Sequence, residues 1–177
     1  MNSEVEDPRV EVFGADEQTE ERVDVLRWVR LARMVLEVQR VTGEAELSLI
    51  FVDERTISDL NERFLGGDGP TDVLSFPMDD DVVLGGRQPD QGGRGPGSTS
   101  EPNDPPLLLG DVVVCPRVAK RQAEARGHMV DDEIALLVVH GILHLLDFDH
   151  AEEEEARVMQ QRERELLEQF RQMEEGQ

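Results

Sequence analysis

The sequence predicts an α+β fold, a small mixed β-sheet with helices packed over it, and three observations carry that reading. Short apolar or alternating stretches of strand length recur at 46–52, 72–76 and 107–115. A long helical spacing of apolar residues runs between about 20 and 41. After residue 115 three helical patterns follow one another with no strand between them, which separates the chain from a regular α/β alternation. At 177 residues the chain is long enough for one compact domain and short for two, so 1–177 reads as a single domain.

Residues 1–8 are polar and frayed on this reading, and Arg9 to Phe13 alternates as an edge strand does. From Glu20 to Val41 the apolar positions Val25, Trp28, Val29, Ala32, Val35 and Leu36 follow helical spacing, and Gly43 stands where a helix should stop. Leu47, Leu49 and Phe51 alternate through the next strand, and Asp53 is placed to cap a helix running to Arg63 or Phe64. Gly66, Gly67, Gly69 and Pro70 force a loop before the strand at 72–76. The strand at Leu107 to Cys115 is so apolar that it belongs in the centre of the sheet. Between these two strands, residues 79–106 hold six of the fifteen Gly and five of the nine Pro and read as a disordered loop, a tolerated surface insertion. Pro116 suits the first turn of a helix closed by Gly127, a second helix runs from Val130 to Leu146, and a third from Ala151 to Met173. The third is mostly charged, with Met159, Leu166, Phe170 and Met173 as a narrow apolar stripe, and its acidic start at Glu152 to Glu155 suits the helix dipole.

Composition excludes several classes. Cys115 is the only cysteine, so there is neither a disulfide framework nor a cysteine-rich metal site. No apolar run is long enough to span a bilayer and no secretory leader is evident, which makes the cytoplasm the default address. A net charge of −22 disfavours long-range attraction to nucleic acid. The excess matches a chain kept soluble in concentrated salt, where screening lengths fall to roughly 3 Å and local contacts decide binding. The thermal midpoint is therefore expected to rise in molar KCl, and equal midpoints with and without the salt would remove this explanation.

The chemistry is concentrated in Ile134 to His150, an almost wholly apolar and hence buried helix that nevertheless carries His140 and His144. Four residues apart, the two imidazoles leave one face about 40° from each other. His150 follows six residues later, past Asp147, a residue type that tolerates the left-handed turn needed to leave a helix. A lone histidine on an apolar face is most simply a satisfied core residue. Three of the chain's four histidines within eleven residues, with no cysteine at hand, instead predict a ligand set for one Zn²⁺ ion, with Ni²⁺, Co²⁺ and Cu²⁺ as competitors in vitro. Three protein ligands leave a fourth position open for water or substrate, the mark of a catalytic site.

The same spacing occurs in zinc peptidases, His-Glu-x-x-His with a third His six residues on, but the position of their general base is Gly141 here. A closer match lies elsewhere. Leu60-Asn61-Glu62-Arg63-Phe64, Thr71 to Pro77, Leu109-Gly110-Asp111 and His140-Gly-Ile-Leu-His144 through Asp149-His150 together resemble the YbeY family of zinc-dependent endoribonucleases, and the resemblance covers most of the chain. It implies zinc ligation by His140, His144 and His150, a catalytic role for Arg63, single-stranded RNA as substrate, and a place in 16S rRNA 3′-end maturation and ribosome quality control on the small subunit. The chain departs from the family at Asp147, where glycine is usual, at Phe148, where tyrosine is common, and in the length of 79–106.

On this reading Arg63 binds the scissile phosphate, and attack comes from metal-activated water or from a ribose 2′-hydroxyl. The plain alternative for Arg63 is a surface ion pair. Asp72 and Asp111 are candidates to orient ligand imidazoles or simply to cap loops. Arg117, Lys120, Arg121 and Arg126 form the one basic helix, either paired with neighbouring acids or gripping an RNA backbone. Two rival functions remain: a ribosome-associated binding protein with a purely structural zinc, which requires a fourth protein ligand, and a zinc peptidase.

Overall fold

The computed structural model describes residues 10–41, 44–78 and 107–177. The predicted loop at 79–106, the polar start at 1–8 and Gly43 lie outside them. The described elements run β1 (Val10–Asp16), α1 (Val25–Val38), β2 (Ala45–Phe51), α2 (Glu54–Leu60), a π-helical turn (Asn61–Leu65), β3 (Val73–Pro77), β4 (Leu107–Val114), α3 (Pro116–Arg126), α4 (Val130–Leu145) and α5 (Glu153–Glu175). This is the α+β fold that the apolar patterns predict.

The four strands form one mixed sheet in the order β1-β2-β4-β3. β1, β2 and β4 run parallel, and β3 pairs antiparallel with β4 at the free edge. β4 is central, as its apolar run predicts, and β1 is the opposite edge. A register shift between Glu46 and Leu47 lets the ladder skip Leu109 and pair Leu47 with Gly110. Gly110 has φ 130°, and a Cβ there would lie 2.1 Å from the Phe76 carbonyl oxygen, so the bulge admits no side chain.

Helix limits follow local chemistry. The first helix begins at Val25 rather than near Glu20, because the Asp24 side chain accepts a hydrogen bond from the Arg27 amide. It ends at Val38, with the left-handed turn taken by Arg40 at φ 57°. Asp53 accepts from the Thr56 amide and caps α2 as expected. Pro116 opens α3, and Gly127 closes it at φ 69°. Glu152 and Glu155 form a reciprocal capping box at the start of α5, so the acidic run serves the helix terminus.

The two faces of the sheet are covered unequally. On one face Trp28, Leu31, Val35 and Leu36 of α1, the apolar side of α4, and Met159, Leu166 and Phe170 of α5 close over Leu47, Leu49, Val112 and Val114. Truncating one of these large side chains typically costs 2–5 kcal/mol. On the other face a smaller cluster of Val52, Ile57, Leu74, Val113, Cys115 and Val118 packs under α2 and α3. Met173, the last residue of the predicted apolar stripe, remains 37% exposed at the rim. Arg27 binds both Glu174 (2.7 Å) and Asp131 (2.5 Å), tying α1 to the end of α5 and the start of α4, and the two carboxylates hold its guanidinium firmly protonated.

Candidate metal centre

Helix α4 runs through the middle of the molecule, with Ile134, Leu137, Val138, Val139, Ile142, Leu143 and Leu145 all buried. It can be this apolar because one side packs on the sheet and others meet α1, α3 and α5. Gly141 sets the closest approach. A Cβ there would stand 2.6 Å from Val112 Cγ1, 3.2 Å from Val73 Cγ2 and 3.3 Å from Ser75 Oγ. The Ser75 hydroxyl donates a hydrogen bond of 2.8 Å to the Gly141 carbonyl and pins the helix to β3. Gly141 therefore faces the sheet, and a glutamate there would enter the core rather than a reaction site. Gly141→Ala is expected to lower the midpoint of chemical denaturation, since overpacking of about 1–3 kcal/mol outweighs a gain in helix propensity of about 1 kcal/mol. An unchanged or raised midpoint would show that the sheet yields.

His140 and His144 leave one flank of α4 beside the sheet-facing Gly141, half-buried, one turn apart. The helix then stops in a paired-bond turn: the Asp147 amide donates to the His144 carbonyl (3.2 Å) and the Phe148 amide to the Leu143 carbonyl (3.0 Å), with Asp147 at φ 69°. Phe148 packs against the core. The turn brings back His150, whose ring centroid lies 5.7 Å from that of His140 and 5.0 Å from that of His144. One ligand atom from each of the three rings lies within 4.8 Å of the other two. The Nε2 atoms of His140 and His144 are 3.0 Å apart. Among the described residues no fourth His, Cys, Asp or Glu joins the group.

The electrostatics suit a cation. Burial lowers the pKa of His144, and the neighbouring His140 and His150 lower it further, so its imidazole stays neutral and available below its usual range. His140 Nδ1 lies 2.6 Å from Glu163 Oε1. An ionised carboxylate only accepts, so Nδ1–H is the donor and Nε2 keeps its lone pair. The sequence reading missed Glu163. Its signal was a charged residue in the seam Met159, Glu163, Leu166, Phe170, where helical spacing calls for an apolar one.

The remaining candidates fall elsewhere. Asp72 accepts from the Val73 amide (2.8 Å) and lies 3.3 Å from the Thr71 hydroxyl, a local cap. Asp111 sits opposite Phe76 in the β3–β4 ladder, on the face away from the histidines. The basic helix α3 is paired internally: Arg117 and Lys120 reach Glu21, Arg121 reaches Glu54, and Arg126 reaches the buried Glu133. Its charges answer the protein's own acids, which favours the structural reading of that helix.

Arg63 lies in the π-helical turn, exposed and without an ion pair among the described residues. The turn closes at Gly66, and Asn61 Nδ2 donates to the Gly69 carbonyl (3.0 Å) to hold the glycine-rich loop. Phe64 stands edge-on to Phe76, with ring centroids 5.5 Å apart. Phe76 and Ser75 point to opposite faces of edge strand β3, so the turn of Arg63 packs, through Phe64, on the face away from the one where Ser75 meets the histidine helix. The three histidines are brought together; Arg63 is placed beside the free edge that borders them.

An α+β fold carrying three convergent imidazoles that could hold a metal ion, with no fourth protein ligand among the described residues, fits the class of metal-dependent hydrolases. The family follows from comparison. The model of the family described as Endoribonuclease YbeY matches residues 14–171, and the chain belongs to that family. It is 51% identical over 144 residues to Endoribonuclease YbeY of Thermobifida fusca, covering 81% of this chain and 84% of that one. To Endoribonuclease YbeY of Frankia casuarinae it is 47% identical over 156 residues, covering 88% and 72%. The solution structure of TM1509 from Thermotoga maritima has a similar fold, with a TM-score of 0.56 at 24% identity, covering 90% of this chain and 89% of that chain. No helix among the described residues is long and apolar enough to cross a membrane.

Proposed function

We propose that this chain, a metal-dependent endoribonuclease of the YbeY family involved in 16S rRNA maturation, cuts single-stranded rRNA of the small ribosomal subunit in the cytoplasm. Its cofactor is one zinc ion held by His140, His144 and His150, and Arg63 engages the scissile phosphate. The observation that carries this reading is the convergence of the three imidazoles within 4.8 Å, with no fourth protein ligand among the described residues. Neutral nitrogen donors without cysteine suit zinc. A zinc ion bound there supplies Lewis acidity toward a phosphoryl oxygen and lowers the pKa of water to about 7.

The chain's own residues do the rest. His140 and His144 are held by a buried helix that cannot shift without disturbing the core, so the donors are in place before the substrate arrives. Arg63 is carried by a π-helical turn, a conformation often found at functional sites, and an exposed guanidinium with no ion pair among the described residues can take a phosphate in a bidentate way. The rival readings lose support. A peptidase would need its base at position 141, where Gly141 faces the sheet, and a structural zinc finds no fourth ligand among the described residues.

The test is metal analysis of the purified chain with cleavage of a single-stranded rRNA fragment and of the same fragment in a duplex. One equivalent of zinc, cleavage of the single strand alone, loss on chelation and recovery with zinc are expected. Zinc without cleavage would turn the proposal toward a binding role. The product ends separate the two routes of attack: a 2′,3′-cyclic phosphate excludes direct attack by water as the first step.

A further inference from the structure

Glu163 has no role in the reaction as set out above, yet it is 8% exposed in the middle of the seam that α5 lays on α4, between Met159 at 1% and Leu166 at 0%. An ionised carboxylate in such a place is costly unless a hydrogen-bonding partner meets it. Its partner is His140 Nδ1, at 2.6 Å and twenty-three residues away in sequence. The bond leaves the lone pair of His140 Nε2 free to ligate, and that atom faces His144 Nε2 at 3.0 Å.

We infer that Glu163 is the positioning residue of the metal centre: through His140 Nδ1 it fixes the ring's tautomer and orientation and couples docking of the C-terminal helix to metal binding. Carboxylate–imidazole pairs of this kind hold metal ligands in their binding geometry and raise their basicity. The ligand set is otherwise made of uncharged rings, so Glu163 also supplies the negative charge nearest His140 that partly offsets a divalent ion. Only two residues separate His150 from the start of α5. The site is thus built from α4, the turn after it and α5, and loosening α5 would withdraw Glu163 from one ligand while freeing the segment that carries another. This inference rests on the triad being the zinc site.

The experiment is chelator competition for zinc on the full-length chain, comparing wild type with Glu163→Gln, Glu163→Ala and, as control, Glu168→Gln on the exposed side of the same helix. Zinc affinity is expected to fall about 10–100-fold in Glu163→Ala and about tenfold in Glu163→Gln, which keeps an acceptor without the charge. Glu168→Gln should bind as wild type does. The His140 Nδ1 proton, followed by NMR in the zinc-loaded protein, should be protected from exchange in wild type and Glu163→Gln and lost in Glu163→Ala. A merely structural glutamate would not move that signal. If Glu163→Ala fails to fold, the near-isosteric Glu163→Gln decides. Wild-type affinity in a folded Glu163 variant overturns the inference, whereas absence of zinc from the wild type itself overturns the triad reading instead.

Discussion

His144→Ala is expected to strip the protein of its zinc and to reduce RNA cleavage by about 10³-fold or more, with little change in the fold. The magnitude follows from the several kcal/mol that a metal ion contributes to stabilising charge in the transition state, at 1.36 kcal/mol for each factor of ten. His144 is the central ring, with centroids 4.5 Å from His140 and 5.0 Å from His150, so its loss leaves two donors that no longer share an ion. Burial keeps it neutral and ready to ligate, with its two histidine neighbours adding to the effect. Alanine suits a helix interior, so the helix should persist. Metal analysis beside a gel assay settles the matter, and a variant retaining one zinc and wild-type cleavage would show that the metal sits elsewhere.

Arg63→Ala should behave differently. Its side chain is exposed and makes no ion pair among the described residues, so stability should change by no more than about 0.5 kcal/mol and zinc content should stay the same. Cleavage should fall by about 10²–10³-fold, the usual cost of removing one group that meets the charge of the transition state. If Arg63 acts there and not in ground-state binding, kcat and kcat/KM fall together. Arg63→Lys should recover little, because an ammonium does not reproduce the guanidinium fork. Cleavage at the wild-type rate would return Arg63 to the plain surface role.

The legible parts of the site share a cause. His140 and His144 are spaced by one helical turn within a single element, and His150 is reached through one turn residue, so local geometry alone brings the rings together. Asp147 takes the left-handed turn where the family usually has glycine, and the two amide bonds that close α4 form around it. The apolar run of β4 placed it centrally, since a strand buried on both faces has no polar alternation to show. Where boundaries moved, as at the start of α1, a capping side chain outweighed the periodicity.

Long-range pairing was not legible in the same way. Asp72 and Asp111 look eligible to orient the histidines, but one caps its own loop and the other lies on the far face, whereas Glu163 arrives from α5. The basic residues of α3 look like a grip for RNA until their partners Glu21, Glu54 and Glu133 are seen around them. Residue types and spacings along the chain thus determined the fold class, the family resemblance and the three imidazoles, because those depend on periods of two and four residues. Tertiary structure decided which carboxylate meets His140, why position 141 must be glycine, and on which side of β3 Arg63 stands. Those outcomes depend on how separate elements pack and on which face of a strand a side chain leaves, and neither is set by distance in sequence.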